Sequence, residues 1–319
     1  LIGAVFLYIS TLNISLAFRL SILLMKIRVF VLTGSLLVFL VSCEKNVSVK
    51  LNDAQTKLVV EASIENGAPP TVVLSNSLDY FSEISPEILQ NSFVHDADIA
   101  ISNGVLTHKL KEYSTTQGDY TFYYYSIDSS DLSTAFAGEL NRSYSLHIKV
   151  QGNDYSAVTT IPNITKKVDS VYWKKASDFL PDSLVALMVK ATDPPGYGDY
   201  VRYYTKDNSE PFYPGINSVF DDQIIDGTTY TLQVDRGYPR NLGMTEDDLV
   251  YFHKGDTVTF KLCNIDKASF DFWRTMEFAY ASVGNPFSSP TKVLSNIKGN
   301  ALGYFAGYAA QYHVIIIPK

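Results

Sequence analysis

The sequence predicts an all-β protein of two immunoglobulin-like or fibronectin-like antiparallel β-sandwich domains, the second carrying one short packed helix. Three observations predict it. Apolar and polar residues alternate over many short stretches, Asn, Gly and Pro recur between those stretches, and one segment alone shows three-to-four spacing.

The first domain is expected over 57–163. Leu58, Val60, Ala62 and Ile64 alternate with their neighbours as a strand, Asn66-Gly67-Ala68-Pro69-Pro70 turns, and 71–75 returns. Alternation resumes over 94–102, and Asn103-Gly104 is a strong hairpin turn before 105–110. Strands follow at 120–127, 143–150 and 155–161, the last two joined by Gln151-Gly152-Asn153-Asp154 and closed by Pro162. The second domain is expected over 167–319, with strands at 168–173, 184–191, 199–205, 228–234 and 257–262. Within it, Asp266 is placed to cap a helix near 266–281. Its Phe270, Trp273, Met276 or Glu277, and Tyr280 recur at the spacing of one helical face.

The first forty-odd residues belong to targeting and not to fold. From Met25, a basic Met25-Lys26-Ile27-Arg28 precedes an apolar run over 29–41 and then Leu40-Val41-Ser42-Cys43. A basic start, an apolar core too short to span comfortably and a small residue before the cut describe a secretory signal over 25–42. The cysteine directly after Ser42 makes Leu40, Val41, Ser42 and Cys43 resemble a bacterial lipobox. In such signals the cysteine is lipidated and becomes the new N-terminus, so Cys43 is the expected lipidation site and the membrane is the first expected partner. One acyl chain holds a protein marginally and two or more hold it stably. Residues 43–56 are polar and read as a tether. Residues 1–24 fit translation upstream of a true start at Met25; the alternative is a membrane helix over about 1–18, at odds with the second apolar run that follows so closely.

Without residues 1–42, which hold Arg19, Lys26 and Arg28 and no acid, the chain carries 23 basic against 33 acidic residues. That balance of −10, with no cluster of Lys and Arg, excludes a nucleic-acid partner. Lys166-Lys167 and Lys174-Lys175 read as solvated strand ends. The five histidines stand far apart, no Cys-x-x-Cys or Gly-x-Ser-x-Gly occurs, and no Gly-rich phosphate loop is present. No catalytic residue, metal ligand or cofactor is expected. The acids Asp221-Asp222 and Glu246-Asp247-Asp248 match no calcium-loop spacing and read as solvated loops. Cys263, in the alternating run 257–262 and beyond, reads as a half-buried strand thiol.

The chain's most unusual feature is its 22 tyrosines. Exposed tyrosines make good binding surfaces, being rigid with a polar tip. In the runs Tyr123-Tyr124-Tyr125 and Tyr203-Tyr204, consecutive residues take opposite faces, so one face of each is expected to be core. Tyr123, Tyr125, Tyr203 and the loop residue Tyr197 are the candidate ligand surface.

Several segments together resemble a known family. They are Cys43-Glu44-Lys45, Lys57-Leu58-Val59-Val60-Glu61-Ala62, Asp169-Ser170-Val171, Asp193-Pro194-Pro195-Gly196 and Asp271-Phe272-Trp273. Closing the chain are Asn285-Pro286-Phe287, Ser295-Asn296-Ile297 and Gly303-Tyr304-Phe305-Ala306-Gly307-Tyr308. In this order they resemble Bacteroidota outer-membrane lipoproteins catalogued as a domain of unknown function (four-two-four-nine). Gly299-Asn300-Ala301-Leu302-Gly303 departs from that pattern, which more often has a compact Gly-Gly before the apolar residue. The resemblance implies an outer-membrane lipoprotein, on the periplasmic or cell-surface face, encoded near TonB-dependent transporters; it implies no catalytic residue. The expected function is binding or scaffolding beside such a transporter barrel in nutrient or peptide uptake. The alternatives are a cell-surface hydrolase of glycan or peptide and a structural or adhesive module.

Overall fold

A computed structural model describes Met25 and residues 56–78, 85–118, 120–239, 249–285, 287–289 and 291–319. Leu40, Val41, Ser42, Cys43, the rest of the signal and tether up to 55, residues 1–24 and Glu246-Asp247-Asp248 lie outside them. The chain divides into two units, Leu1–Asp53 and Ala54–Lys319, and the second holds the sheets and helices described below.

The protein is all-β with short helices. Its strands are β1 (Leu58–Glu65), β2 (Thr71–Asn76), β3 (Asp98–Ser102), β4 (Thr107–Gln117), β5 (Tyr120–Ile127), β6 (Arg142–Val150) and β7 (Asn153–Ile161) in the first half. The second half holds β8 (Lys167–Lys175), β9 (Leu184–Thr192), β10 (Tyr200–Asp207), β11 (Tyr213–Phe220), β12 (Thr229–Val234), β13 (Phe252–His253), β14 (Thr257–Ile265) and β15 (Leu302–Ile316). Helix α1 covers Pro86–Ser92 and α2 covers Lys267–Ala281.

Local chemistry accounts for most of these boundaries. The side chain of Asn103 accepts from the amides of Val105 (3.0 Å) and Leu106 (2.8 Å), closing the turn between β3 and β4. Asp266 caps α2 as expected, accepting from Ser269 N at 2.8 Å. Its second oxygen accepts from Thr160 N (2.9 Å) and Thr159 Oγ1 (3.0 Å), tying the helix start to β7.

Two sheets result. One has eleven strands in the order β11-β10-β14-β15-β1-β2-β5-β4-β3-β6-β7; in the other, β9 pairs with β8 on one edge and with β12 and β13 on the other. One pairing departs from the expected antiparallel pattern: β15 lies parallel to β1, with Val60 opposite Gly303 and Ala62 opposite Phe305. A parallel neighbour must come from a distant stretch of chain, since a hairpin cannot deliver it.

Each half of the sequence encloses a core, and one strand is common to both. Val60, Ile64, Leu74, Ile99, Leu146 and Ile161 form the first core, together with Phe305 and Ala309 of β15. Val185, Leu187, Val189, Tyr203 and Phe260 form the second, joined by Ile315 and Ile317 from the end of the chain. Odd-numbered residues of β15 share one face, so the strand serves the first core with its beginning and the second near its end. Between them, Gln311 donates to Lys166 O (2.6 Å) and accepts from Val168 N (3.2 Å), pinning the connection between the halves. The even-numbered Tyr304, Ala306, Tyr308 and Ala310 face α2 and its neighbours.

The sheet also folds back so that β7 lies against β15. Gly307 N donates to Thr159 Oγ1 at 2.7 Å, and a Cβ on Gly307 would stand 2.6 Å from the backbone of Thr160. Gly307→Val is therefore expected to force β7 from β15 and destabilise the protein by about 3 kcal/mol or more. Urea denaturation of the two proteins checks this, and equal midpoints would refute the contact.

Candidate functional site

The outer face of the long sheet, where α2 rests, carries the chemistry. Alternation sends Arg202 and Tyr204 of β10, Lys261 and Cys263 of β14, and Tyr304, Tyr308 and Tyr312 of β15 to this one side. Register sets them beside each other: Arg202 opposite Cys263, Tyr204 opposite Lys261, Lys261 opposite Tyr312. Glu65 of β1 stands opposite Tyr308.

Arg202, Tyr204, Lys261, Tyr304, Tyr308 and Glu65, with α2, line a cleft of about 560 Å³. The Arg202 guanidinium lies 3.3 Å from the centroid of the Trp273 ring and 4.8 Å from that of Tyr204. Such stacking keeps a buried guanidinium in a polarisable setting. Arg202 Nε donates to Ser218 Oγ (3.2 Å), and Ser218 in turn donates through its hydroxyl and its amide to Glu277 of α2. Trp273 Nε1 donates to Tyr308 OH at 3.1 Å. On the far wall, Lys261 pairs with Glu65, which also accepts from Tyr312 OH. Burial pushes the hydroxyls of Tyr204 and Tyr304 well above the ordinary tyrosine value, so both stay neutral donors.

The cleft is one of three depressions in a row. Trp273, Met276 and Tyr304 separate it from a second, of about 470 Å³, bounded by Val59, Glu61 and Leu302. Glu61, whose carboxyl is raised by burial, leads into a third of about 310 Å³ walled by α1, Phe93, Tyr120 and Phe122. A groove rich in aromatic rings thus crosses the sheet from β10 to β5, with α1 and α2 on its rim. A separate, apolar cavity of about 590 Å³ lies between the two sheets, lined by Val189, Tyr203, Phe220, Leu232 and Phe260.

The tyrosines singled out in the sequence are not one surface. Tyr125 is in the first core, 2 % exposed, its hydroxyl donating to Val94 O at 3.0 Å and accepting from Ala97 N. Tyr123, on the same side of β5, is half-buried against Phe93 and His95. The opposite parity faces outward, and it is Tyr120 and Phe122 that line the groove. Tyr203 is buried against Phe260 and borders the apolar cavity. Tyr197 is exposed in the β9–β10 loop, far along the chain from the others. Sequence reasoning missed Tyr304, Tyr308, Trp273 and Arg202 as one group, because three separate elements supply them. The one signal available is the shared parity of 202 and 204 in β10 and of 261 and 263 in β14.

Other expectations are corrected in the same way. Lys166 is fully buried and not a solvated strand end, and Asp222 is buried as well. His108, for which no role is expected, is a satisfied core histidine, bonded to Thr134 Oγ1 and to the amide of Asp128. Cys263 is completely buried, and burial pushes its thiol up to about 12. A neutral, inaccessible thiol is no nucleophile.

What the fold and the groove define is a β-sheet protein with a pre-formed, aromatic-lined recess and mixed charge. The chain belongs to the family described as domain of unknown function DUF4249, whose model matches residues 44–312. No curated protein and no solved structure matches it. Among the described residues, no helix is long and apolar enough to cross a membrane.

Iodoacetamide is expected to leave Cys263 unmodified in the native protein and to alkylate it in denaturant. Peptide mass spectrometry reads the difference, and rapid native labelling would show that the face beneath α2 is open.

Proposed function

We propose that this protein is a lipid-anchored outer-membrane binding protein, working beside a TonB-dependent transporter in the uptake of a nutrient or peptide. The observation that carries the binding half of this reading is the groove. Aromatic rings supply rigid contact area at little entropic cost, and the interspersed Arg202, Lys261, Glu61 and Glu65 supply orientation. Its three depressions in line suit an extended ligand, a peptide or a glycan chain, better than a compact one. Strands β10, β14, β15, β1, β2 and β5 form a rigid floor, so little ordering is needed on binding.

The address rests on Cys43 and the apolar run before it. A cysteine carrying several acyl chains holds a folded domain at a bilayer without a membrane-spanning segment. A transporter partner follows from the family resemblance.

Tyr280 and Phe122 stand at opposite ends of the groove, both partly exposed. Tyr280→Ala and Phe122→Ala are each expected to weaken binding of an extended peptide or oligosaccharide by about tenfold, with stability changed by less than about 1 kcal/mol. Calorimetric titration against such ligand libraries checks this; loss at one end only would mean a smaller site.

For the address, palmitate should label the unaltered chain and not Cys43→Ser. Gentle solubilisation of the envelope should bring down a large barrel protein with the first and not the second. An unlabelled native chain would end the lipoprotein reading.

A further inference from the structure

The chain passes between the two sheets at several points, and three of these crossings meet. Lys166 precedes β8 in the first, 193–199 links β9 to β10 in the second, and 221–228 links β11 to β12 in the third. At their meeting point, carboxylate oxygens of Asp193, Asp222 and Asp226 all lie within 4.8 Å of one another.

Part of this cluster is conventionally satisfied. Asp222 Oδ2 accepts from the amides of Gly198 (2.7 Å) and Asp199 (2.9 Å), and Asp226 Oδ1 accepts from Gly196 N (2.6 Å). Asp199 accepts from Thr165 Oγ1 at 2.7 Å. Asp193 is different. It is 1 % exposed, yet among the described residues neither of its oxygens finds a hydrogen-bond donor. Its nearest cation, Lys166 Nζ at 3.4 Å, is fully buried and makes no hydrogen bond to a described residue either. A buried carboxylate normally has several donors, and leaving it without them is costly.

Charge points the same way. Asp193, Asp222 and Asp226 bring three carboxylates together, and Lys166 Nζ pairs with Asp193 from 3.4 Å. Among the described residues, no salt bridge to Asp222 or Asp226 balances the other two carboxylates.

We propose that Asp193, Asp222 and Asp226 form a calcium site that clamps the three crossings together. Calcium takes oxygen ligands at about 2.3–2.6 Å, so two ligands of one ion stand no more than about 5 Å apart, as these oxygens do. The donors are all oxygen, with no His or Cys among them, which selects a hard cation over zinc or copper. Lys166 remains as a buried counter-charge 3.4 Å from Asp193. The ligands come from two crossings, and the Lys166 pair draws in the third. Binding would therefore stabilise the link between the sheets and would occur apart from the aromatic groove.

The test is calorimetric titration of Ca²⁺ into the full chain after EDTA treatment, with thermal unfolding read in parallel. One ion per chain is expected, with a higher unfolding midpoint in Ca²⁺ than in EDTA and a smaller response to Mg²⁺. Asp193→Asn and Asp222→Asn should abolish binding. Asp193 pairs with the buried Lys166 and Asp222 holds two amides of the 196–199 loop, so loss of binding there is open to misfolding as a cause; Asp226 holds one amide, which the carbonyl of Asn can still accept, so Asp226→Asn decides. It should keep the circular dichroism of the parent and weaken Ca²⁺ at least tenfold. The exposed Asp154→Asn should bind as the parent does. No heat and no midpoint shift at millimolar Ca²⁺ would overturn the proposal, and so would unchanged affinity in Asp226→Asn.

Discussion

The structure depends on the packing of β15 on both of its faces. Phe305 and Ala309 complete one core, Ile315 and the following Ile317 complete another, and Tyr304, Ala306 and Tyr308 form the bed for α2. A strand so enclosed has little freedom of sequence. At Gly303 the backbone has a φ of +102°, and a Cβ would fall 1.9 Å from Val60 O. Only glycine fits where the chain enters beside β1 in that conformation. Since β15 pairs with β1 and β14, neither half of the chain can finish its sheet without the last strand. The fold therefore rests on contacts between residues far apart in sequence, a topology that closes slowly and late.

That central strand also fixes where the aromatic groove lies. Its core side is filled, so large polar aromatics and charged side chains meet on its remaining face, under α2. Arg202 is held there by rings and by Ser218, and Glu277 reaches down from α2 to complete the network. Groups bound this way have their geometry set by the fold itself, as the proposed binding role would require. The groove is an outcome of how α2 sits on the strands, and Asp266, bonded both to the helix and to β7, sets that seat.

Buried charge imposes a further constraint. The Lys166–Asp193 pair has both side chains wholly out of water, and Lys261–Glu65 is largely so. Desolvating such ions costs several kcal/mol each, so they rarely add stability over apolar replacements. Their value is in specifying which loops and strands meet. Lys166 lies at the passage between the halves, held by Gln311 through its carbonyl and by Asp193 through its ammonium. A slip in that connection would strand a charge in the core.

The sequence by itself determined the class of fold and much of its local punctuation. Alternation marks β1, β2, β6, β7 and β14, the Asn103-Gly104 turn lies where its chemistry puts it, and Asp266 caps its helix. These are decided by neighbours within a few residues, so short-range pattern is enough. The pattern fails for the first half of β15, because 305–310 is buried on both faces and does not alternate, and Gly303 and Gly307 read as breaks. It also leaves open which parity of β5 is inside, so it offers Tyr125 as a surface residue and gives no sign of Tyr120 and Phe122. Lys166 reads as solvated because nothing near it in sequence foretells Asp193. Only the tertiary structure decided the parallel pairing of β1 with β15, the aromatic groove and the meeting of the three crossings. Each depends on burial and partners supplied from far along the chain, and a one-dimensional pattern carries no record of them.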